Sequence, residues 1–498
     1  MKSLTTHHKL LIVLSILFLF TGCKQPETVV VDRSPTAAAP DDSVTTTSAD
    51  DQAGFRQLSI GELQPIHTLD PLFADKASSM RAVQLVYEGL TRLNAQGNIV
   101  PGIAKSWQVN NDSTEFTFTI RQDIYYHDND AFSTGTGRRL KASDVKYVFE
   151  RMAKINVPPL AAQMFMNISG FNSYFQEQRM VYNPEERNLT GIDGIQIPNS
   201  RTVTFSLNDT DPKFLHKLAT PLAAIYPSEA VGKSVTDFKA VGTGPFKFSK
   251  RDADSTLIFS KFRNYYESSA ININRIDIKV YSSESDLFQS MSKGDLYLLP
   301  QLGPQLIKNL ITDDGQLRNS YTNRYNLQKP GGSTIYAMRH NTNSTLSEAE
   351  AQNLKSLMSD SLAYFNQFPD RTVSPTSTNG SQSNRISSDS LDSVIYSSYS
   401  DNQFVRTFLG AFSQVLSSQN SSLRMLQIRA PSRDTGLFFT QHYPLISVKE
   451  WSTSPLFRFS VQQLALFRSE INGLQFNQHP WWIDVRGVEL PAAENMTN

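Results

Sequence analysis

The sequence predicts an α/β protein, and two alternating periodicities carry that expectation. Runs with apolar residues at every second position, as in EFTFTIR at 115–121, are strands with one buried face. Runs with apolar residues at i, i+3, i+4 and i+7, as in ASDVKYVFERM with Val145, Val148, Phe149 and Met152, are amphipathic helices. The two kinds are interleaved along the body of a 498-residue chain that is 39% hydrophobic, enough for two or three domains. Lys+Arg and Asp+Glu are balanced at 47 each, and no basic run stands out, so no nucleic-acid partner is expected.

Lys2 and Lys9 open the chain, and residues 10–20 (LLIVLSILFLF) are apolar apart from Ser15. Eleven residues fall short of the roughly 20 needed to span a bilayer, so the run reads as a signal-peptide core. Thr21 and Gly22 then precede Cys23, the sole cysteine. This arrangement resembles a bacterial lipoprotein signal, which implies lipidation of Cys23, removal of residues 1–22 and a lipid anchor in a membrane. Residues 23–54, rich in Thr, Ser, Ala, Asp and Pro, hold no sustained period and are expected to be a flexible polar tether.

The body starts near Phe55 with a short strand and a Pro-marked turn. A helix is expected at 78–90 from Val83, Val86, Tyr87 and Leu90, then short strands among glycines and prolines through 109, the strand at 115–121 and the helix at 142–152. The run at 201–208 buries Val203, Phe205 and Leu207. FKFSKRDADSTLIFSKF reads as a hairpin, with Phe246 and Phe248 facing Leu257 and Phe259. A strand at 273–281 precedes a helix, a glycine stop at Gly294 and another strand. Residues 341–362 read as a helix and 368–390 as a Ser/Thr/Asn/Asp-rich surface loop; a strand at 393–396 and a helix at 402–417 resume the alternation. The segment beginning SVQQLALFR is expected to be a helix, then a strand and an aromatic close.

Several of these segments together resemble the family 5 extracellular solute-binding proteins, the receptors for oligopeptides, dipeptides and nickel complexes that feed ABC importers. The likeness runs through Leu69-Asp70-Pro71, Tyr87-Glu88-Gly89-Leu90, PGIAKSWQVNNDSTEFTFTIR, LKASDVKYVFERM, VGTGPFKF, FRNYYESSA (with Tyr266 in a tryptophan's usual place) and Gly294-Asp295. Beyond 300 it thins. The C-terminal stretch is more similar to the binding-protein-like domain of bacterial sugar-phosphate stress transcription regulators, whose DNA-binding role is not carried over. The resemblance implies a two-lobed periplasmic binding protein of the cluster C kind, with a small domain inserted in the first lobe. Mapped by motif order, 55–85 and 190–272 belong to the first lobe, 86–189 to the inserted domain and 273–460 to the opposing lobe; 461–490 return to the first lobe and 491–498 form a tail. It further implies a monomer in the cell envelope that captures a solute, a peptide first among the classes, and partners with ABC permease subunits. The competing expectation is a structural or signalling lipoprotein that keeps the fold and has lost or changed ligand capture.

A solute receptor needs a crevice, polar groups and aromatic walls rather than a nucleophile. Trp451, Trp481 and Trp482 are candidates for apolar walls, and adjacent Trp481 and Trp482 in a strand would face opposite ways. Arg458 and Arg486 are candidates for a carboxylate, and Asp434 for an α-amino group. No cofactor and no enzyme activity are expected: there is no H-E-x-x-H, G-x-S-x-G or Walker sequence, and the grouping of His127, Asp128 and Asp130 has no recognised metal-ligand spacing.

Overall fold

The computed structural model describes residues 56–234, 237–252, 256–340, 361–369, 372–375, 394–398, 402–418, 424–428, 435–443 and 455–491. Cys23 and the tether lie outside them, as do 341–360 and most of 368–390.

A seven-stranded mixed sheet runs in the order Tyr325–Gln328, Ala465–Arg468, Leu298–Leu299, Gln57–Glu62, Arg275–Val280, Leu257–Lys261, Phe246–Arg251. Gln57–Glu62 pairs in parallel with Arg275–Val280 in unbroken register and with Leu298–Leu299 on its other side. The expected hairpin is present: Phe248 lies opposite Phe259, the rings 5.6 Å apart, and a register shift follows before Lys250. Gly242 and Gly244 of the turn before it pass so close to the helix Ala77–Val86 that a Cβ on Gly242 would fall 2.0 Å from the Val86 carbonyl oxygen. The glycines of VGTGPF therefore serve packing.

A four-stranded antiparallel sheet in the order Ala104–Val109, Glu115–Ile120, Thr202–Ser206, Ile195–Asn199 follows the period-two expectation. Phe116, Phe118 and Ile120 are buried, while the Thr117 and Thr204 hydroxyls meet at 3.1 Å on the opposite face. Helix Ala142–Met152 buries Val145, Val148, Phe149 and Met152 completely, and Phe149 packs edge-on against Phe165 and Phe205. This core is continuous with the one beneath the seven-stranded sheet.

The third large sheet has six strands in the order Val373–Pro375, Phe457–Gln462, Ser333–His340, Thr435–His442, Val394–Ser398, Arg424–Ile428. Helix Gln403–Ser418 packs over it, with Phe408 stacked on Phe457 (5.1 Å, 6°) in a second hydrophobic core that also takes in Leu287, Leu306 and Leu310.

Among the described residues the chain crosses between the seven-stranded and six-stranded sheets at 329–332 and at 463–464, and these two crossings are tied together by the Gln463 amide donating to the Gly332 carbonyl at 2.9 Å. The segment SVQQLALFR is accordingly not the helix its composition suggests. It ends one strand at Gln462 and begins another at Ala465, because its backbone groups are claimed by two different sheets. No helix among the described residues is long and apolar enough to cross a membrane.

Candidate functional site

Elements of the seven-stranded and six-stranded sheets face each other across a cleft holding about 520 Å³ of space not filled by atoms, its open mouth included. Glu62, at the C-terminal end of Gln57–Glu62, and Arg81, from helix Ala77–Val86, stand on one wall; Thr334, Tyr336 and Asn402 stand on the other.

The charges on the first wall neutralise each other. Arg81 Nε and Nη2 each donate at 2.7 Å to one oxygen of Glu62, and Nη1 donates to the Pro480 carbonyl, all of it buried. A buried pair satisfied in this way presents no free charge to a ligand. On the second wall Asn402 caps helix Gln403–Ser418, its Oδ1 accepting from the amides of Phe404 and Val405, while its Nδ2 donates to the Tyr336 hydroxyl at 2.8 Å. Tyr336 stacks on Phe459 at 5.0 Å. Burial raises the phenols of Tyr336 and Tyr443 above the ordinary tyrosine range, so both stay protonated.

Hydrogen bonds link elements of the two sheets beside the cleft: Gln301 Nε2 donates to the Gln462 carbonyl at 3.3 Å, and a second bond reaches helix Ala77–Val86. Lys76 provides no side-chain cap for helix Ala77–Val86; the Ala77 amide donates instead to the Tyr443 hydroxyl at 2.8 Å, and that hydroxyl donates to Gln441 Oε1. The amide nitrogens of Gln64, which lines the cleft, and of Gln441 are buried and have no hydrogen-bond partner among the described residues. The cleft thus offers an uncharged amide donor and a hydroxyl beside one aromatic-backed wall, a chemistry suited to amide and hydroxyl groups of a solute.

The residues singled out from sequence lie elsewhere. Trp481 is fully buried and stacks on His479 (5.1 Å, 19°); its neighbour Pro480, rather than either tryptophan, borders the cleft. Trp482 and Arg486 line a second cavity beside the C-terminal end of helix Ala77–Val86. Arg486 there donates to both oxygens of Asp484 (2.9 and 2.6 Å) and to Glu267 (3.1 Å). Arg458 is exposed on Phe457–Gln462, opposite Ala337. Trp451 and Asp434 fall outside the described residues. His127, Asp128 and Asp130 do not converge: His127 Nε2 donates to the Gly244 carbonyl at 2.9 Å, Asp128 accepts from the Gly137 amide, and Asp130 pairs with Lys239. Among the described residues no group of three or more His, Cys, Asp or Glu side chains is placed to hold a metal ion. Sequence reading passed over Glu62, Arg81, Tyr336, Asn402 and Tyr443; the one local signal was Asn402, an N-cap residue just ahead of an apolar helical run.

Two α/β lobes, each with its own mixed sheet, joined by two paired crossings and enclosing a polar cleft, define a periplasmic-binding-protein-like fold. Comparison with known proteins agrees. The profile of the bacterial extracellular solute-binding proteins, family 5 Middle, matches residues 98–357, more than half of the chain, and the chain belongs to that family. It is 27% identical over 222 residues to di/tripeptide-binding protein 1 of Pseudomonas aeruginosa, a stretch covering 43% of this chain and 38% of the relative. To heme-binding protein A of Haemophilus influenzae it is 26% identical over 249 residues, 48% of this chain and 42% of that one. The alignments thus span about two-fifths of the length of these relatives. In fold it is similar to a periplasmic oligopeptide-binding protein of Borrelia burgdorferi, with a TM-score of 0.69 and 14% identity over 87% of this chain and 99% of the other.

Proposed function

We propose that this chain is the extracytoplasmic substrate-binding component of an ABC importer, lipid-anchored through Cys23, which captures a small solute between two closing lobes and delivers it to permease subunits. A peptide is the favoured solute. The observation that carries this reading is the cleft itself, in which the partnerless amide donor of Gln64 and the hydroxyl of Tyr336 stand between elements of both sheets, with Tyr443 and Gln441 linked to its edge through the Ala77 amide. Peptide backbones present carbonyl acceptors at regular intervals, and donors of this kind read backbone without demanding a particular side chain. The names of the di/tripeptide-binding relatives support the same class.

In this reading the body is a monomer in the cell envelope, and the four-stranded sheet with its helices is the inserted small domain. That sheet includes Ile195–Asn199 and Thr202–Ser206, which favours an end near 208 instead of 189. The sheet changes at 329–332 and 463–464 favour a lobe boundary there instead of at 273 and 460.

The test is calorimetry of the purified protein against di- to pentapeptides, sugars, hemin and nickel chelates, followed by X-ray scattering with any hit. A true ligand saturates, contracts the body and, at about 100 times its Kd, stabilises the fold by roughly 2.7 kcal/mol. A structural or signalling lipoprotein gives no saturable solute, and tight binding without contraction refutes closure. Intact mass of the mature protein checks the anchor: an unmodified Cys23 refutes it.

A further inference from the structure

The second cavity shares no lining residue with the cleft. It holds about 670 Å³ of space, its mouth included, between the C-terminal part of helix Ala77–Val86, the segment after it, and the C-terminal return around Trp482. Two acceptor oxygens on its wall, Oε1 of Gln84 and Oε2 of Glu88, are buried and have no hydrogen-bond partner among the described residues. Glu88 is more than nine-tenths buried. Its other oxygen accepts from the Tyr265 hydroxyl (2.8 Å) and the Tyr266 hydroxyl (3.0 Å).

The nearby cations do not complete it. Arg92 approaches Glu88 Oε1 only to 3.9 Å, beyond hydrogen-bond reach, since its donors go to the Pro101 carbonyl (2.8 Å), Glu267 (2.7 Å) and the Tyr265 hydroxyl (3.4 Å). Arg486 is held by Asp484 and Glu267, and Arg121 donates to the Gly102 carbonyl while lying over the Tyr266 ring. Arg92, Tyr265, Tyr266 and Glu267 are the charged and titratable groups that act on Glu88, with Asp484 and Arg486 on the same cavity wall and Arg121 over the Tyr266 ring, yet one oxygen of Glu88 stays bare in a cavity walled by the Tyr265 and Trp482 rings.

We infer that this cavity is a second ligand site, which takes the ammonium head of a small organic amine: the –NH₃⁺ donates to Glu88 Oε2 and Gln84 Oε1, and its alkyl carbons rest against Trp482 and Tyr265. An ammonium supplies the donors that both oxygens lack and the charge that the carboxylate lacks, and aromatic faces attract it further. A metal ion is disfavoured, since the described carboxylates do not group as metal ligands. Burial raises Glu88 to about 7, so protons compete with the amine for the same oxygen.

The probe is n-butylammonium chloride, titrated into the full chain in a neutral detergent, with sodium butyrate and n-butanol as controls at matched ionic strength. Saturable binding of the ammonium alone is expected, with affinity falling roughly tenfold from pH 8 to pH 6 as Glu88 takes up its proton. Glu88→Gln should abolish it, and Gln84→Leu, at a half-buried helix position, should weaken it several-fold. Equal binding of butanol, no saturable binding, or an affinity that does not change with pH overturns the inference. If Glu88→Gln fails to fold, Gln84→Leu decides: unaltered affinity in that variant overturns it as well.

Discussion

Asp70 sits in the Leu-Asp-Pro turn near the start of the body, and its carboxylate receives both terminal nitrogens of Arg151 while also capping the turn at Leu72. Arg151 donates to the Tyr226 hydroxyl as well, and both members of the pair are buried. Removing one partner strands the other charge in the core, so Asp70→Ala should destabilise by about 3–5 kcal/mol in urea unfolding. The double variant Asp70→Leu/Arg151→Met, which removes both charges, should recover much of that loss; no recovery would mean that the pair contributes more than charge balance. Two other buried groups set opposing pH dependences. Burial pushes His127 down to about 4 from an ordinary 6.5, so its contribution to stability is complete above pH 6.5 and is lost as the pH falls to about 4. Burial pushes Glu88 up from 4.5 to about 7, so its contribution is complete below pH 4.5 and is lost as the pH rises through 7. Each is worth about 3 kcal/mol, and they offset one another between pH 4.5 and 6.5. Relative to the parent, His127→Gln should gain stability on acidification through this window and Glu88→Gln should lose it. Parallel slopes for all three proteins would show that neither group titrates as described.

Helix Glu284–Lys293 shows how short elements are bounded. Ser283 Oγ accepts from the Asp286 amide at 3.1 Å, Glu284 and Asp286 occupy the first turn, Lys293 the last, and Gly294 leaves it in the left-handed conformation with φ 96°. Each of these is visible in SESDLFQSMSKGD. Glu284 also accepts the amides of Gln305 and Leu306, tying this helix to the next one, Pro304–Leu310. Ser283→Ala should therefore cost about 1 kcal/mol, measured as a shift in the urea midpoint, whereas Ser283→Asp should be close to neutral.

At the scale of the whole molecule, the cross-cleft bond from the Ala77 amide to Tyr443 joins residues 366 positions apart. Tyr443→Phe leaves that buried amide without its partner, which costs about 1–3 kcal/mol in the conformation where the walls meet. The expected result is a larger radius of gyration by X-ray scattering of the solute-free protein, together with a weaker response to any cleft ligand. An unchanged radius would show that this bond does not hold the walls together. The paired crossings at 329–332 and 463–464 fit such a motion, since they concentrate the covalent links between the two large sheets at one place.

The sequence by itself determined the elements whose burial is one-sided. Phe116, Phe118 and Ile120, the stripe from Val145 to Met152 and the hairpin of Phe246 to Lys261 repeat at the period of their own backbone, so a local window suffices to read them. It also carried the family likeness, because motifs such as VGTGPF mark close backbone approaches that only glycine allows. Only the tertiary structure decided that SVQQLALFR divides between two sheets and that Trp481 is core while Trp482 walls a cavity. It alone assembled the cleft, since Glu62, Arg81, Tyr336 and Asn402 come from remote parts of the chain and follow no common period. A buried Arg81 in particular is anomalous locally. It becomes intelligible when Glu62 and the Pro480 carbonyl, the latter 399 positions away, accept from all three of its guanidinium nitrogens.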